Sequence, residues 1–140
     1  MKLQELYQTG TYVAVRPTSS TLKLLQDWAD QNLLQLDPDL HVTVLYSRKI
    51  ISVYLSPDEF FGAPLSLSAL GDCDIVLKLE SKSLSKRHDE LIAQGGTHDY
   101  PTYTPHITLK AKAEGSSMKD LSPIQFGLMF SNEYSEPLTE

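Results

Sequence analysis

The chain alternates apolar or β-branched residues with polar ones in several short segments, a pattern typical of strands that bury one face. Strands are predicted over residues 11–16, 40–46, 65–70, 74–79, 106–111 and 124–130. Helices are predicted over residues 18–35, capped by Ser19 or Ser20, and over residues 83–94, capped by Ser83. Residues 57–64 and 97–105 are predicted loops, and residues 131–140 an acidic tail. Each half contains one helix between strands, which indicates a single α+β domain over residues 1–140, made of two similar lobes.

Composition and charge narrow the class of protein. The chain has 140 residues, of which 41% are hydrophobic and 21% charged, as is usual for a globular domain. No apolar run approaches the ~18 residues of a membrane span, and the N-terminus lacks the apolar segment of a signal peptide, so we expect a cytoplasmic protein without membrane contact. The single cysteine, Cys73, allows no internal disulfide. A formal charge of −6 argues against binding along duplex nucleic acid, although one pocket can still hold a small anion.

Two segments repeat the same order of residue types. His41-Val42-Thr43-Val44 lies in the first half and His106-Ile107-Thr108-Leu109 in the second. Because side chains alternate along a strand, each histidine shares a face with its threonine, about 7 Å away along the strand, and the apolar residues point into the core. One such segment means little, but two copies in separate halves favour a shared function. The alternative is a pair of partly buried histidines bonded to neighbouring hydroxyl groups.

Paired histidines and threonines suit chemistry at a phosphate. Two imidazoles that face one cleft can act as general base and general acid, because their unperturbed pKa of about 6.5 allows both forms near neutral pH. Threonine hydroxyls can donate hydrogen bonds to the non-bridging oxygens of a phosphate between them. Neither segment is accompanied by the carboxylates of a two-metal nuclease. The residues therefore predict phosphoryl transfer without a metal or other cofactor.

The two segments resemble the hallmark of the two-histidine (2H) phosphoesterases. Flanking residues 40–49 (LHVTVLYSRK), 83–91 (SLSKRHDEL) and 100–110 (YPTYTPHITLK) resemble the phage anti-CBASS branch of that superfamily, whose members degrade the cyclic oligonucleotides that bacteria use as infection alarms. The likeness covers about residues 11–134. It implies a bilobal fold, in which two pseudo-symmetric lobes of antiparallel strands with flanking helices surround a central cleft. If the chain is phage-encoded, the resemblance also implies action in the cytoplasm of the bacterial host.

The resemblance also implies roles for individual residues. The catalytic residues would be His41, Thr43, His106 and Thr108. In this family a ribose 2′-hydroxyl attacks the neighbouring phosphorus, the 5′-oxygen leaves, and water can then open the resulting cyclic phosphate. Tyr12 would stack on a nucleobase, and Glu133 would contact a base from a C-terminal segment, residues 131–140, that can close as a lid. The relatives carry a tryptophan near the C-terminus, whereas this chain ends in Pro-Leu-Thr-Glu.

Three functions follow as hypotheses. The first is a phosphodiesterase that cleaves cyclic di- or trinucleotides and allows a phage to evade CBASS defence. The second is a 2H enzyme that acts on RNA ends or on linear 2′,3′-cyclic phosphates. The third is a sponge that binds the cyclic nucleotide without cutting it. The presence of both histidines argues against the sponge, because sequestration requires no proton transfer.

Overall fold

A computed structural model of the protein describes residues 7–70, 74–112 and 121–139. In chain order its elements are β1 (Gln8–Pro17), α1 (Ser19–Gln31), β2 (Val42–Ser47), β3 (Phe60–Leu70), β4 (Asp74–Glu80), α2 (Lys82–Ala93), β5 (His106–Lys110) and β6 (Leu128–Thr139). No helix in these ranges is long and apolar enough to cross a membrane. The predictions for Cys73 and Glu140 lie outside the described residues.

The six strands form one antiparallel sheet in the order β1-β2-β5-β4-β3-β6, which closes on itself because β6 also pairs with β1. The α+β class is therefore confirmed. The pairing between β2 and β5 is the shortest in the sheet and has a single register pair, Val42 opposite Ile107. The two strands that carry the histidine segments thus meet at their histidine ends and separate beyond them.

The core lies inside the closed sheet and under the two helices. Leu25, Trp28 and Ala29 of α1 and Leu84 and Leu91 of α2 are buried. The indole Nε1 of Trp28 keeps its hydrogen bond by donating to the carbonyl of Ser122, 3.0 Å away. Burial of a large aromatic side chain together with its one polar atom holds α1 against the chain that leads into β6.

Both helices begin at residues other than those predicted. Thr18 caps α1, where its Oγ1 accepts from the amide of Thr21 at 3.3 Å, and Ser81 caps α2, where its Oγ accepts from the amide of Leu84 at 3.1 Å. The first helix also ends earlier than predicted, at Gln31, because Leu33 adopts a positive φ of 54° that leaves the helical path. The Ser19, Ser20 and Ser83 cap predictions are therefore wrong by one or two residues.

Two predicted irregular segments are strands. Residues 60–64 were expected in a loop, yet Phe60–Gly62 pair with Leu128–Phe130 of β6. Residues 131–139 were expected as a tail, yet they continue β6 and pair with β1, from Arg16 opposite Ser131 to Gln8 opposite Thr139. The loop and tail predictions are wrong because these segments are held by strands distant in sequence, which a local pattern cannot reveal.

Candidate active site

The histidine segments lie where β2 and β5 meet. Val42, Val44, Ile107 and Leu109 are fully buried, which confirms that the intervening apolar residues enter the core. Alternation along each strand therefore turns the two histidines and two threonines to the opposite face. With Val42 opposite Ile107, the antiparallel register places Thr43 beside His106 and His41 beside Thr108. The four predicted catalytic residues are thus brought to one patch of the sheet surface.

Both histidines are held in the same way. Nδ1 of His41 lies 2.9 Å from the carbonyl oxygen of Asp39, and Nδ1 of His106 lies 3.0 Å from that of Thr104. In each case the acceptor is the backbone two residues earlier. Since a carbonyl oxygen can only accept, Nδ1 carries the proton in both rings. In the neutral form of either ring, Nε2 is therefore unprotonated and can take up a proton.

Tyr12 is part of this patch. Its phenol oxygen lies 3.0 Å from Oγ1 of Thr43, and its ring meets that of His41 edge to face, with 6.3 Å between the centroids. Burial raises the pKa of the Tyr12 phenol, while the hydrogen bond to Thr43 opposes the shift. The phenol therefore stays protonated at neutral pH and can either donate to the threonine hydroxyl or accept from it.

Two aromatic side chains hold β2 where it leaves β5. The Tyr103 hydroxyl donates to the carbonyl of Thr43 at 2.7 Å, and Nδ1 of His88 donates to the carbonyl of Val44 at 2.7 Å. The two rings stack with centroids 4.3 Å apart and planes 7° apart. Burial lowers the pKa of His88 and raises that of Tyr103, so both remain uncharged. The carbonyls left free by the separation of the strands thereby regain partners.

This separation opens a cleft of about 610 Å³ beside the patch. A volume of that order is typical of small-molecule sites. The wall contains Thr43 and His106 together with residues of β2, β4 and the 97–105 segment: Val44, Tyr46, Val76, Lys78, His98, Asp99, Tyr100, Thr102, Tyr103 and Thr104. Arg48 holds the 97–105 segment to the end of β2, because its Nε and Nη2 both donate to the Asp99 carboxylate at 2.9 Å. This ion pair lowers the pKa of Asp99.

Glu133 does not lie on the exposed face. Its carboxylate is fully buried and accepts two hydrogen bonds from Arg87, at 2.9 Å from Nε and 2.7 Å from Nη2. The same carboxylate accepts from the amide of Ser56 at 2.9 Å, and Arg87 also donates to the carbonyl of Tyr54 at 2.6 Å. The hydrogen bonds to Glu133 raise the pKa of Arg87, which stays charged. In this structure Glu133 joins β6 to α2, and its base contact remains only a prediction.

Tyr134 and Glu136 occupy the face on which Glu133 was expected. Glu136 lies opposite Tyr12 across the β1–β6 ladder, and the rings of Tyr12 and Tyr134 are 6.4 Å apart. Arg16 lies over one face of the Tyr134 ring, with its guanidinium carbon 4.0 Å from the ring centroid. Neither residue was predicted, because residues 131–140 were expected to be a tail and their pairing with β1 depends on a strand distant in sequence.

The bulge is visible in the register. Ala14 pairs with Tyr134, and Arg16 with Ser131, so that Asn132 and Glu133 together face one residue of β1. Asn132 has a φ of 55°, which asparagine tolerates better than most residues. The extra residue turns Glu133 inward and places Tyr134 and Glu136 on the outer face. An asparagine within a strand pattern was the one available signal.

Among the described residues, no three His, Cys, Asp or Glu side chains are grouped closely enough to hold a metal ion. The predicted independence from metals therefore stays a prediction.

Comparison with known proteins identifies the family. The family model of the anti-CBASS protein Acb1 matches residues 9–140, nearly the whole chain. The chain belongs to the Acb1 family of anti-CBASS proteins. It is 39% identical to the anti-CBASS protein Acb1 of Vibrio phage KVP40 over 117 aligned positions, which cover 78% of each chain. It is 33% identical to the anti-CBASS protein Acb1 of Enterobacteria phage T4 over 140 aligned positions, which cover 94% of this chain and 90% of the relative.

A third relative extends the comparison to almost the full length. The anti-CBASS protein Acb1 of Salmonella phage S16 is 31% identical over 146 aligned positions, which cover 99% of this chain and 93% of the relative. The resemblance to phage anti-CBASS proteins predicted from the histidine segments is thereby confirmed. The residues matched by the family model include both histidine segments, the cleft wall and all of β6.

Proposed function

We propose that this Acb1-family chain is a 2H phosphodiesterase that cleaves a 3′–5′ linkage in cyclic di- or trinucleotide immune signals such as cyclic GMP-AMP. Cleavage in the cytoplasm of an infected bacterium would remove the signal and allow a phage to evade CBASS. The observation that carries the proposal is the matched pair of histidines, each with Nδ1 bound to a backbone carbonyl and Nε2 available for proton transfer. The antiparallel register centred on Val42 and Ile107 supports the two-fold relation expected of a 2H enzyme.

The reaction requires one histidine to be neutral and the other protonated. One Nε2 removes the proton of a ribose 2′-hydroxyl, whose oxygen attacks the adjacent phosphorus, while the other histidine protonates the departing 5′-oxygen. The product carries a 2′,3′-cyclic phosphate, which water can open with the histidine roles reversed. The hydroxyls of Thr43 and Thr108 would donate to the non-bridging oxygens, where negative charge accumulates in the transition state.

Substrate binding follows from the surface next to His41. Tyr12 and Tyr134 offer aromatic faces on which nucleobases can stack, a contact worth ~1–3 kcal/mol per base. Glu136, which is exposed beside them, can accept hydrogen bonds from an exocyclic amine of a base. In this proposal Tyr12 has the role predicted for it, and Glu136 rather than Glu133 supplies the accessible carboxylate.

The decisive experiment is incubation with 3′,3′-cyclic GMP-AMP followed by chromatography. A new linear product supports the proposal. Intact ligand that is recovered only after denaturation supports a sponge instead. Cleavage of a linear 2′,3′-cyclic phosphate, with the cyclic dinucleotide left intact, indicates an enzyme of RNA ends.

The internal nucleophile gives a prediction about the substrate. A cyclic dinucleotide made of 2′-deoxyribose should bind with similar affinity and resist cleavage, because water lacks the positioning advantage of an attached hydroxyl. Calorimetry measures binding, and chromatography measures turnover beside the ribose form, whose rate should depend on pH with a bell shape. Comparable cleavage of the two substrates would show that water makes the first attack.

The absence of a metal-ligand cluster among the described side chains gives another prediction. Treatment with EDTA should leave the rate of cyclic GMP-AMP cleavage within about two-fold of its untreated value, because general acid–base catalysis alone contributes the proton transfers. The control is the same protein with added Mg²⁺ or Mn²⁺. A rate that collapses with the chelator and recovers with either ion would contradict the metal-independent mechanism.

A further inference from the structure

Lys78 is the lysine of β4 that faces the cleft. In the β4–β5 ladder it lies directly opposite His106, and both residues line the cleft wall. Directly opposed residues in an antiparallel pair have Cβ atoms about 4.5–5.5 Å apart on the same face. Ile75, Leu77 and Leu79 fill the core from the other face of the strand, which fixes the direction of Lys78. The flexible four-carbon stem can therefore bring the ammonium beside Nε2 of His106.

Three other cations near the site have carboxylate partners. Arg16 binds Asp39 at 3.3 Å, Arg48 binds Asp99 at 2.9 Å, and Lys110 lies 3.5 Å from Asp37. In contrast, within the described ranges Lys78 has no carboxylate oxygen within 4 Å. Lys78, which is half-buried, is thus available for an external anion.

We propose that Lys78 binds the phosphate on which His106 acts. This inference rests on the proposed phosphodiesterase function and adds the cation that the function requires, since a protein of formal charge −6 must attract a ligand with two negative phosphates. The ammonium contacts a non-bridging oxygen in the bound substrate. The contact strengthens as charge gathers on the phosphoryl oxygens during attack, so Lys78 contributes both to binding and to the rate.

The test compares three variants of the full chain. Lys78→Met removes the charge and keeps the aliphatic stem, Lys78→Arg keeps the charge, and Lys23→Met removes a charge from α1, where the side chain is 77% exposed. Lys78→Met should lower kcat/KM for 3′,3′-cyclic GMP-AMP by about 10- to 100-fold, as expected for the loss of one charge-assisted hydrogen bond. The kcat/KM of Lys78→Arg should stay within about five-fold of the wild-type value. The kcat/KM of Lys23→Met should equal the wild-type value.

Salt dependence separates an ionic role from a packing role. Binding of the cyclic dinucleotide, measured by calorimetry in a His41→Ala background that does not turn over, should weaken less with rising salt when Lys78→Met is added, because one ionic contact is already missing. Unchanged affinity and turnover in folded Lys78→Met would overturn the inference. The inference would also be overturned if Lys78→Arg lost as much activity as Lys78→Met and the salt dependence of binding did not change. A wild-type protein that neither binds nor cleaves the ligand would instead overturn the proposed function, and this inference with it.

Discussion

Replacing His41 or His106 by alanine is expected to lower cleavage of cyclic GMP-AMP by about 100- to 10,000-fold, the usual cost of losing one proton-transfer group. The fold should survive, because both rings lie on the outer face of the sheet and the core residues between the segments are untouched. Chromatography gives the rate, and thermal unfolding reports on the fold.

An asparagine variant sharpens this prediction. In His106→Asn the side-chain amide can replace Nδ1 as the donor to the Thr104 carbonyl, but nothing replaces Nε2. The variant should be as inactive as His106→Ala even though the anchoring hydrogen bond is restored. A folded single variant that retains near wild-type turnover would contradict the two-histidine mechanism.

The second large effect concerns stability. Glu133→Gln should lower the free energy of unfolding by about 3–5 kcal/mol, because it leaves the Arg87 guanidinium buried beside a neutral amide. The matched control is Glu136→Gln, three residues later on the same strand and exposed, which should change stability by no more than about 0.5 kcal/mol. Urea denaturation measures both variants.

The same pair of variants tests the two placements of the substrate-binding acid. If Glu136 accepts from a base, Glu136→Gln should weaken binding of the cyclic dinucleotide while the fold stays stable. A stable Glu133→Gln that binds poorly would instead favour the role first predicted for Glu133. Binding is measured by calorimetry under conditions where each variant is folded.

The patch of two histidines and two threonines could be predicted from sequence because it depends on local alternation. A histidine two residues from a threonine, with valine or isoleucine between them, specifies which side chains enter the core, and burial of Val42 and Ile107 confirms it. Lys78 could not be predicted in the same way. Its position beside His106 depends on the register between β4 and β5, which no local pattern specifies.

The misplaced segments share a physical cause. Residues 60–64 include Gly62 and Pro64, which argue against a strand until the partner is known; Pro64 lies at a register shift, where the missing amide is tolerated. For Glu133 the obstacle was one inserted residue, since a bulge at Asn132 reverses the side on which every later side chain of β6 projects. Strand pairing and bulges are properties of two segments together, and they limit what one segment can predict.

The closure of the sheet through β1 and β6 also affects how the protein is made. Residues 8 and 139 pair in the finished fold, although almost the whole chain separates them. At ~5–20 residues per second, the ribosome leaves one edge of β1 without its final partner for on the order of ten seconds. During that interval the backbone of β1 offers unpaired donors and acceptors to any other nascent chain, a situation that favours mispairing. We therefore expect folding to proceed after translation of β6, at the slow rates of proteins dominated by long-range contacts, and to benefit from chaperones.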